Sequence, residues 1–325
     1  MDSQWVIFGK GNHMLILTRE EVKALLDPLE LLAGLEDGFK SLSAGQTNVP
    51  PRNQVIAPKG ILLGMPAYLP NHHLSVKLVS VFHENFKLNI PGHQAIIALF
   101  DSETGSPVAI MDGEHITALR TAAGAILSVK LLALKTVKTI AIIGAGVQGE
   151  AHLRMIGTLV GIEEIRIASK DLFQSRALAA RDSRARAFDS VEQAVRNADV
   201  ICLCTSSPEP VIQAGWLKAG IHISSVGYHP PGGELPRDVI EAGNLFVESR
   251  SAFQAPPVGS AELQGFSPSF GIEIGEVLLG QKPGRKTEEE TTIYKSMGHA
   301  MEDLVAANLV YQKAIVQNIG KSFSL

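Results

Sequence analysis

The hydrophobic pattern changes period along the chain. From Leu15 to about Gly45, apolar residues recur at helical spacing through Val22, Leu25, Leu31, Leu32, Leu35 and Phe39, behind a capping signal at Thr18-Arg19-Glu20-Glu21. This predicts helical scaffold. Between Pro50 and Phe100 the period shortens to two, predicting strands over 54–57, 61–68, 74–82 and 93–101, parted by turn residues such as Pro58-Lys59-Gly60. Strands with no helix between them imply an antiparallel or mixed sheet. Residues 116–128 are small and apolar on nearly every side, which predicts a buried helix leading out of that sheet. Strand and helix patterns then alternate, with strands expected at 139–143, 164–168, 199–204, 221–226 and 244–248. That is the layout of a parallel doubly wound α/β sheet. A last run, 300–310, predicts a strongly amphipathic helix.

The first strand of the alternating part breaks into Gly144-Ala145-Gly146-Val147-Gln148-Gly149 and then into helix formers. Glycine serves the tight turn at Gly144, close approach of a pyrophosphate at Gly146, and helix–strand packing at Gly149. The helix start offers its free N–H groups to the phosphates. Strand before and strand after give the motif its context, so a dinucleotide is the expected cofactor. At the end of the next strand stand Ser169 and Lys170, a hydroxyl and a cation suited to a 2′-phosphate, with Arg176 a second cation. These favour NADPH. NADH stays open through Asp171, which reaches the ribose diol if the turn is one residue longer. Farther on, Thr205-Ser206-Ser207 and Val226-Gly227 end two strands in the layer where open parallel sheets bind ligands. They are expected to floor the nicotinamide pocket.

A net charge of −4 over 325 residues argues against a nucleic-acid partner. No long uncharged apolar run predicts a membrane span, and Met1-Asp2-Ser3-Gln4-Trp5 lacks the layout of a signal peptide, so a cytoplasmic address is expected. Cys202 and Cys204 alternate within an apolar strand and are expected to be buried thiols; no metal site is expected. Against this acidic background three cations stand out: Arg52 after a Pro-Pro pair, Lys77 in an apolar strand, and Arg120 in the small-residue helix. Such charges are seldom buried unpaired, so together they predict an anion pocket, with arginine suited to a carboxylate and lysine able to donate a proton.

With these residues collected, the chain resembles the ornithine cyclodeaminase/mu-crystallin family. The likeness is carried by Ser75-Val76-Lys77-Leu78-Val79, by Ile116 to Ala123 around Arg120, by the glycine motif, by Cys204-Thr205-Ser206-Ser207, and by Tyr294-Lys295-Ser296-Met297-Gly298-His299-Ala300-Met301-Glu302-Asp303. The resemblance implies a homodimer in which a Rossmann domain, residues 122–299, is inserted in an α+β substrate and dimerisation domain, residues 1–121 and 300–325. It implies that Arg52, Lys77 and Arg120 hold a substrate carboxylate and that Met297 and Gly298 lie near the nicotinamide. Members that cyclise ornithine carry an aspartate after Val-Gly; here the stretch is Val226-Gly227-Tyr228-His229-Pro230, with His229 in that place. The expected reaction is therefore NAD(P)H-dependent reduction of small cyclic ketimine carboxylates, with Lys77, then His229, as proton donor. Ornithine cyclodeaminase, alanine dehydrogenase and a mu-crystallin-like binding protein are the alternatives.

Overall fold

A computed structural model describes residues 13–324; Met1 to Trp5, read above as lacking a signal-peptide layout, lie outside the described residues. β1 (His13–Leu17) takes the Leu15–Leu17 start of the stretch expected to be helical; the period-two segment forms β2 (Asn53–Ala57), β3 (Gly60–Tyr68), β4 (Leu74–Val81) and β5 (His93–Phe100), and β6 (Pro107–Asp112) follows it. Neighbours from β2 to β6 pair antiparallel, and β1 joins β6 in parallel, so the sheet is mixed. Period-two alternation puts Met65, Lys77, Ile97 and Met111 in register on the inner face. Leu62, Leu78 and Ile96 point the other way.

The second sheet is parallel throughout: β7 (Thr139–Ile143), β8 (Glu164–Ala168), β9 (Ala185–Ala187), β10 (Val200–Leu203), β11 (His222–Ser225), β12 (Asn244–Val247), β13 (Ile272–Glu273) and β14 (Thr292–Lys295). Its order is β13-β12-β14-β11-β10-β7-β8-β9. β14 sits in the middle, between β11 and β12, and the hydrophobic pattern does not announce it: four residues, bounded by Thr292 and Lys295, make no apolar run. It is nevertheless buried throughout. β15 (Lys321–Ser324) returns to the first sheet, antiparallel to β1.

The helices are α1 (Arg19–Leu25), α2 (Pro28–Ser43), α3 (Gly113–Leu132), α4 (Val147–Ile156), α5 (Leu172–Ala179), α6 (Val191–Val195), α7 (Arg237–Ala242), α8 (Ile274–Leu278) and α9 (Ala300–Gln317). Thr18 and Glu21 close a capping box on α1. The single early helical stretch is in fact two helices, because Asp27 caps a new start with Pro28 in its first turn. α3 runs unbroken past residue 121 and packs on α2, α4, α9 and both sheets; its alanines and Gly124 allow the close approach. α9 also differs from the expectation. Residues 300–308 are all buried, so its first half is enclosed on every side rather than amphipathic. Cys202 and Cys204 are buried free thiols, as expected, with burial pushing Cys202 up to about 11. Among the described residues no helix is long and apolar enough to cross a membrane.

Candidate active site

The glycine turn between β7 and α4 has the local geometry its sequence asks for. Gly144 has φ +110°, and a Cβ there would lie 2.5 Å from the Cys204 carbonyl oxygen; one on Gly149 would lie 2.0 Å from that of Gly144. Around Gly146, by contrast, a Cβ would meet nothing within 4 Å. That open space lies at the start of α4, where Gly146 supplies no side-chain cap and leaves the first N–H groups available. Gln148 adds a buried side-chain oxygen with no protein partner. An uncapped helix start and an open approach fit a pyrophosphate.

After β8, the Asp171 carboxylate caps α5 by accepting from the N–H groups of Phe173 (2.9 Å) and Gln174 (3.4 Å). It is thereby turned into the helix. Ser169 donates to the Asp171 carbonyl at 2.7 Å and shares a hydrogen bond with Ser175, so its hydroxyl is less free than its position suggested. Lys170 and Arg176 are exposed.

The loops after β10 and β11 are joined by a residue that sequence reasoning passed over. The Glu234 carboxylate, fully buried, accepts from Thr205 N and Oγ1 (both 2.7 Å), Ser225 Oγ (2.9 Å) and Gly227 N (2.7 Å). The Thr205 hydroxyl is thus engaged, and that of Ser207 donates to the Glu209 carbonyl; Ser206 is exposed. Val226 is half-buried and Gly227 buried between these loops. His229 is half-buried, its carbonyl accepting from Gly232 N. Its neighbour Tyr228 is the loop side chain in electrostatic reach of Arg52.

Lys77 and Arg120 meet at one carboxylate. Lys77 Nζ is 2.6 Å from Asp303 Oδ2, and Arg120 Nε donates to Oδ1 at 2.9 Å; Arg120 Nη1 also donates to Glu302 Oε2 at 2.8 Å. All four side chains are almost completely buried. Arg52 completes the cluster from the other side of Gly298: it donates to the carbonyls of Met297 (3.1 Å) and Gly298 (2.6 Å), while a Cβ on Gly298 would strike the Arg120 guanidinium at 2.6 Å. The Ser296–Gly298 segment is fixed by buried Glu248, which accepts from Ser296 Oγ, Met297 N and Gly298 N at 2.5, 2.9 and 3.1 Å. The structure therefore gathers Arg52, Lys77, Arg120, Met297 and Gly298, and adds Asp303, Glu302 and Glu248.

Burial drives the electrostatics here. It lowers Lys77 to about 8, Arg120 and Arg52 pulling the same way and Asp303 resisting. Burial opposes the charge on Arg120 as well, but Asp303 and Glu302 overcome it and hold the guanidinium above its ordinary value. Asp303 is pushed up by burial and pulled below the usual carboxylate range by Arg120 and Lys77. Burial, then Glu248, lifts Glu302 well above that range.

A parallel nucleotide-type sheet whose carboxyl edge faces a buried cation cluster defines a nicotinamide-dependent oxidoreductase. The model of the ornithine cyclodeaminase/mu-crystallin family matches residues 12–318, and the chain belongs to that family. It is 37% identical over 295 residues to the ketimine reductase mu-crystallin of Mus musculus, covering 88% of this chain and 91% of that protein. Among solved structures it resembles Thermococcus litoralis Δ1-pyrroline-2-carboxylate reductase in complex with NADH and L-proline, with TM-score 0.89 and 32% identity over 95% of this chain and 99% of that one. An archaeal alanine dehydrogenase dimer with bound NAD gives TM-score 0.86 and 30% identity over 96% and 99%.

Proposed function

We propose that this protein reduces small cyclic ketimine carboxylates, with Δ1-pyrroline-2-carboxylate (to L-proline) and Δ1-piperideine-2-carboxylate (to L-pipecolate) as leading substrates. The observation that carries this reading is the buried Lys77–Asp303–Arg120 cluster beside Gly298. Three cations, Arg52, Lys77 and Arg120, converge there, Lys77 and Arg120 both pairing with Asp303, and such a cationic pocket suits a substrate monocarboxylate. Arg120 spends only two of its five N–H donors on Asp303 and Glu302, and Lys77 has three donors for one partner, so both retain bonds to give. When bound, the reduced nicotinamide supplies the hydride. The chain's own residues hold the carboxylate, exclude water and protonate the ring nitrogen, a task for which Lys77, lowered to about 8, is suited at neutral pH.

NADPH is the proposed cofactor, because Asp171 is committed to capping α5 while Lys170 stands exposed just after β8. The relatives that act on cyclic imines or carry L-proline support the substrate class. The substrate and dimerisation domain is proposed to comprise residues 1–121 and 300–325, and the dinucleotide domain 122–299, with a homodimer as the assembly. The likeness to alanine dehydrogenase supports a second reading, since the same clamp suits pyruvate.

The test is consumption of NADPH and NADH by purified protein with Δ1-pyrroline-2-carboxylate, beside pyruvate plus ammonia and beside ornithine. Turnover of the imine is expected. Turnover of pyruvate plus ammonia alone would replace the proposal with alanine dehydrogenase activity, and ammonia release from ornithine would replace it with cyclodeamination.

A further inference from the structure

Glu234 lies at the far end of the loop that leaves β11, and its carboxylate is filled. A carboxylate offers about four lone-pair sites, and those of Glu234 are taken by Thr205 N, Thr205 Oγ1, Ser225 Oγ and Gly227 N. Thr205 follows β10, whereas Ser225 and Gly227 end β11, and the two strands are direct neighbours with Leu203 opposite Ser225. One side chain thus ties together two adjacent loops at the carboxyl edge of the sheet. The peptide after Gly227 is gripped as well: its carbonyl accepts from Lys295 Nζ at 2.8 Å. Lys295, fully buried at the end of β14, also donates to Ser225 Oγ (3.0 Å) and pairs with Glu262 (2.5 Å), whose other oxygen accepts from Leu235 N (2.9 Å). Gly227 has no room to adjust, since a Cβ there would lie 2.4 Å from the Thr205 carbonyl oxygen and 2.6 Å from Glu234 Oε1.

Burying three ionisable groups costs desolvation that an apolar plug of equal volume would avoid. What the network adds is geometry. Both ends of the Tyr228–Gly233 loop are fixed, and Tyr228 itself stays 41% exposed above them.

We infer that Glu234 is a positioning residue for the nicotinamide half of the site, holding the Thr205 and Gly227 loops at the spacing that the ring needs, with Lys295 and Glu262 bracing it from below. This rests on the dinucleotide reading above. Glu234 acts through the loops and touches no reacting atom. The glycine turn and the Ser169 end, which serve the adenosine half, share none of these bonds.

The experiment measures binding of NADPH, and separately of adenosine 2′,5′-bisphosphate, to the wild type and to Glu234→Gln, by calorimetry. The amide turns an NH2 group toward two of the four donors. NADPH affinity is expected to fall about tenfold or more, with adenosine bisphosphate affinity changed less than about twofold and the melting temperature nearly kept. Ser225→Ala, which removes one donor, should shift the same balance by a smaller factor, and it carries the test should Glu234→Gln fail to fold. Equal loss of both ligands, or loss of neither, would overturn the inference while leaving the dinucleotide reading intact. A wild type that binds no nicotinamide dinucleotide would overturn that reading, and the inference with it.

Discussion

A lysine with 2% of its side chain exposed stays charged only if something nearby compensates its lost hydration, and for Lys77 that is Asp303, 2.6 Å away. Asp303 is shared with Arg120, so the compensation is partial and Lys77 titrates at about 8. If the charged ammonium is the proton donor, kcat/KM for imine reduction should be flat below that value and fall about tenfold per pH unit above it. Lys77→Arg should lower the plateau and remove that limb, as a pH–rate profile will show. Stability runs the other way. Between about 8 and the ordinary lysine value near 10.4, the unfolded chain binds more protons than the folded one, so the Lys77 contribution to stability rises with pH. The Asp303 contribution has the same sign in an acid window: its folded pKa is depressed, so it is present at neutral pH and lost in acid. Arg120→Ala should weaken carboxylate binding by about 2–4 kcal/mol, measured as kcat/KM with Arg120→Lys as the charge-preserving control. Wild-type kcat/KM in Arg120→Ala would remove that residue from the site. Lys77 and Arg120 were legible in the sequence because each interrupts an apolar pattern. Glu302 and Asp303 interrupt one too, but a pair of acids in a helix reads as its polar face, and Arg120 is 183 residues from Asp303. Glu234, Glu248 and Lys295 stand near strand ends, where polar residues are ordinary.

The β7–turn–α4 unit was legible because every requirement on it is local: an apolar β-branched strand, three glycines at fixed offsets, and a helix start. α3 was legible for a similar reason, its small side chains marking a helix packed on several sides. β14 and the enclosed half of α9 were not, since what buries Lys295, Glu302 and Asp303 is supplied by distant segments. The break between α1 and α2 was written in Asp27-Pro28, but continuous apolar spacing across it masks the boundary. The β8–α5 connection shows how an element decides chemistry. Asp171 could serve a ribose diol, yet as N-cap it gives its carboxylate to α5 instead. Ser169→Asp combined with Lys170→Ala should therefore move preference from NADPH toward NADH by at least about tenfold, a charge inversion at a phosphate site being worth that much. The ratio of kcat/KM for the two cofactors measures it, and an unchanged ratio would place the 2′-phosphate elsewhere.

Lys77 and Leu78 are successive residues of β4, so the clamp and the outer surface are two faces of one sheet. The inner face is covered by helices. The outer face carries Leu62 (44% exposed), Leu78 (39%) and Ile96 (47%), with Leu78 opposite Ile96 and Ile16 (39%) opposite Ile110 two strands on. A contiguous apolar face of this kind, rimmed by polar positions such as Ser80 and Gln94, marks an association surface. With a homodimer as the proposed assembly, a second copy of the chain is the proposed occupant of this face. Leu78→Glu with Ile96→Glu places two like charges side by side on that face. The wild type is expected to run as a dimer in light scattering at micromolar concentration, and the double variant as a monomer. Because Leu78 shares its backbone with Lys77, loosening the sheet should also lower kcat/KM, while leaving adenosine bisphosphate affinity at the distant glycine turn unchanged. A double variant that stays dimeric would move the interface to another surface, and a monomeric wild type would overturn the assembly.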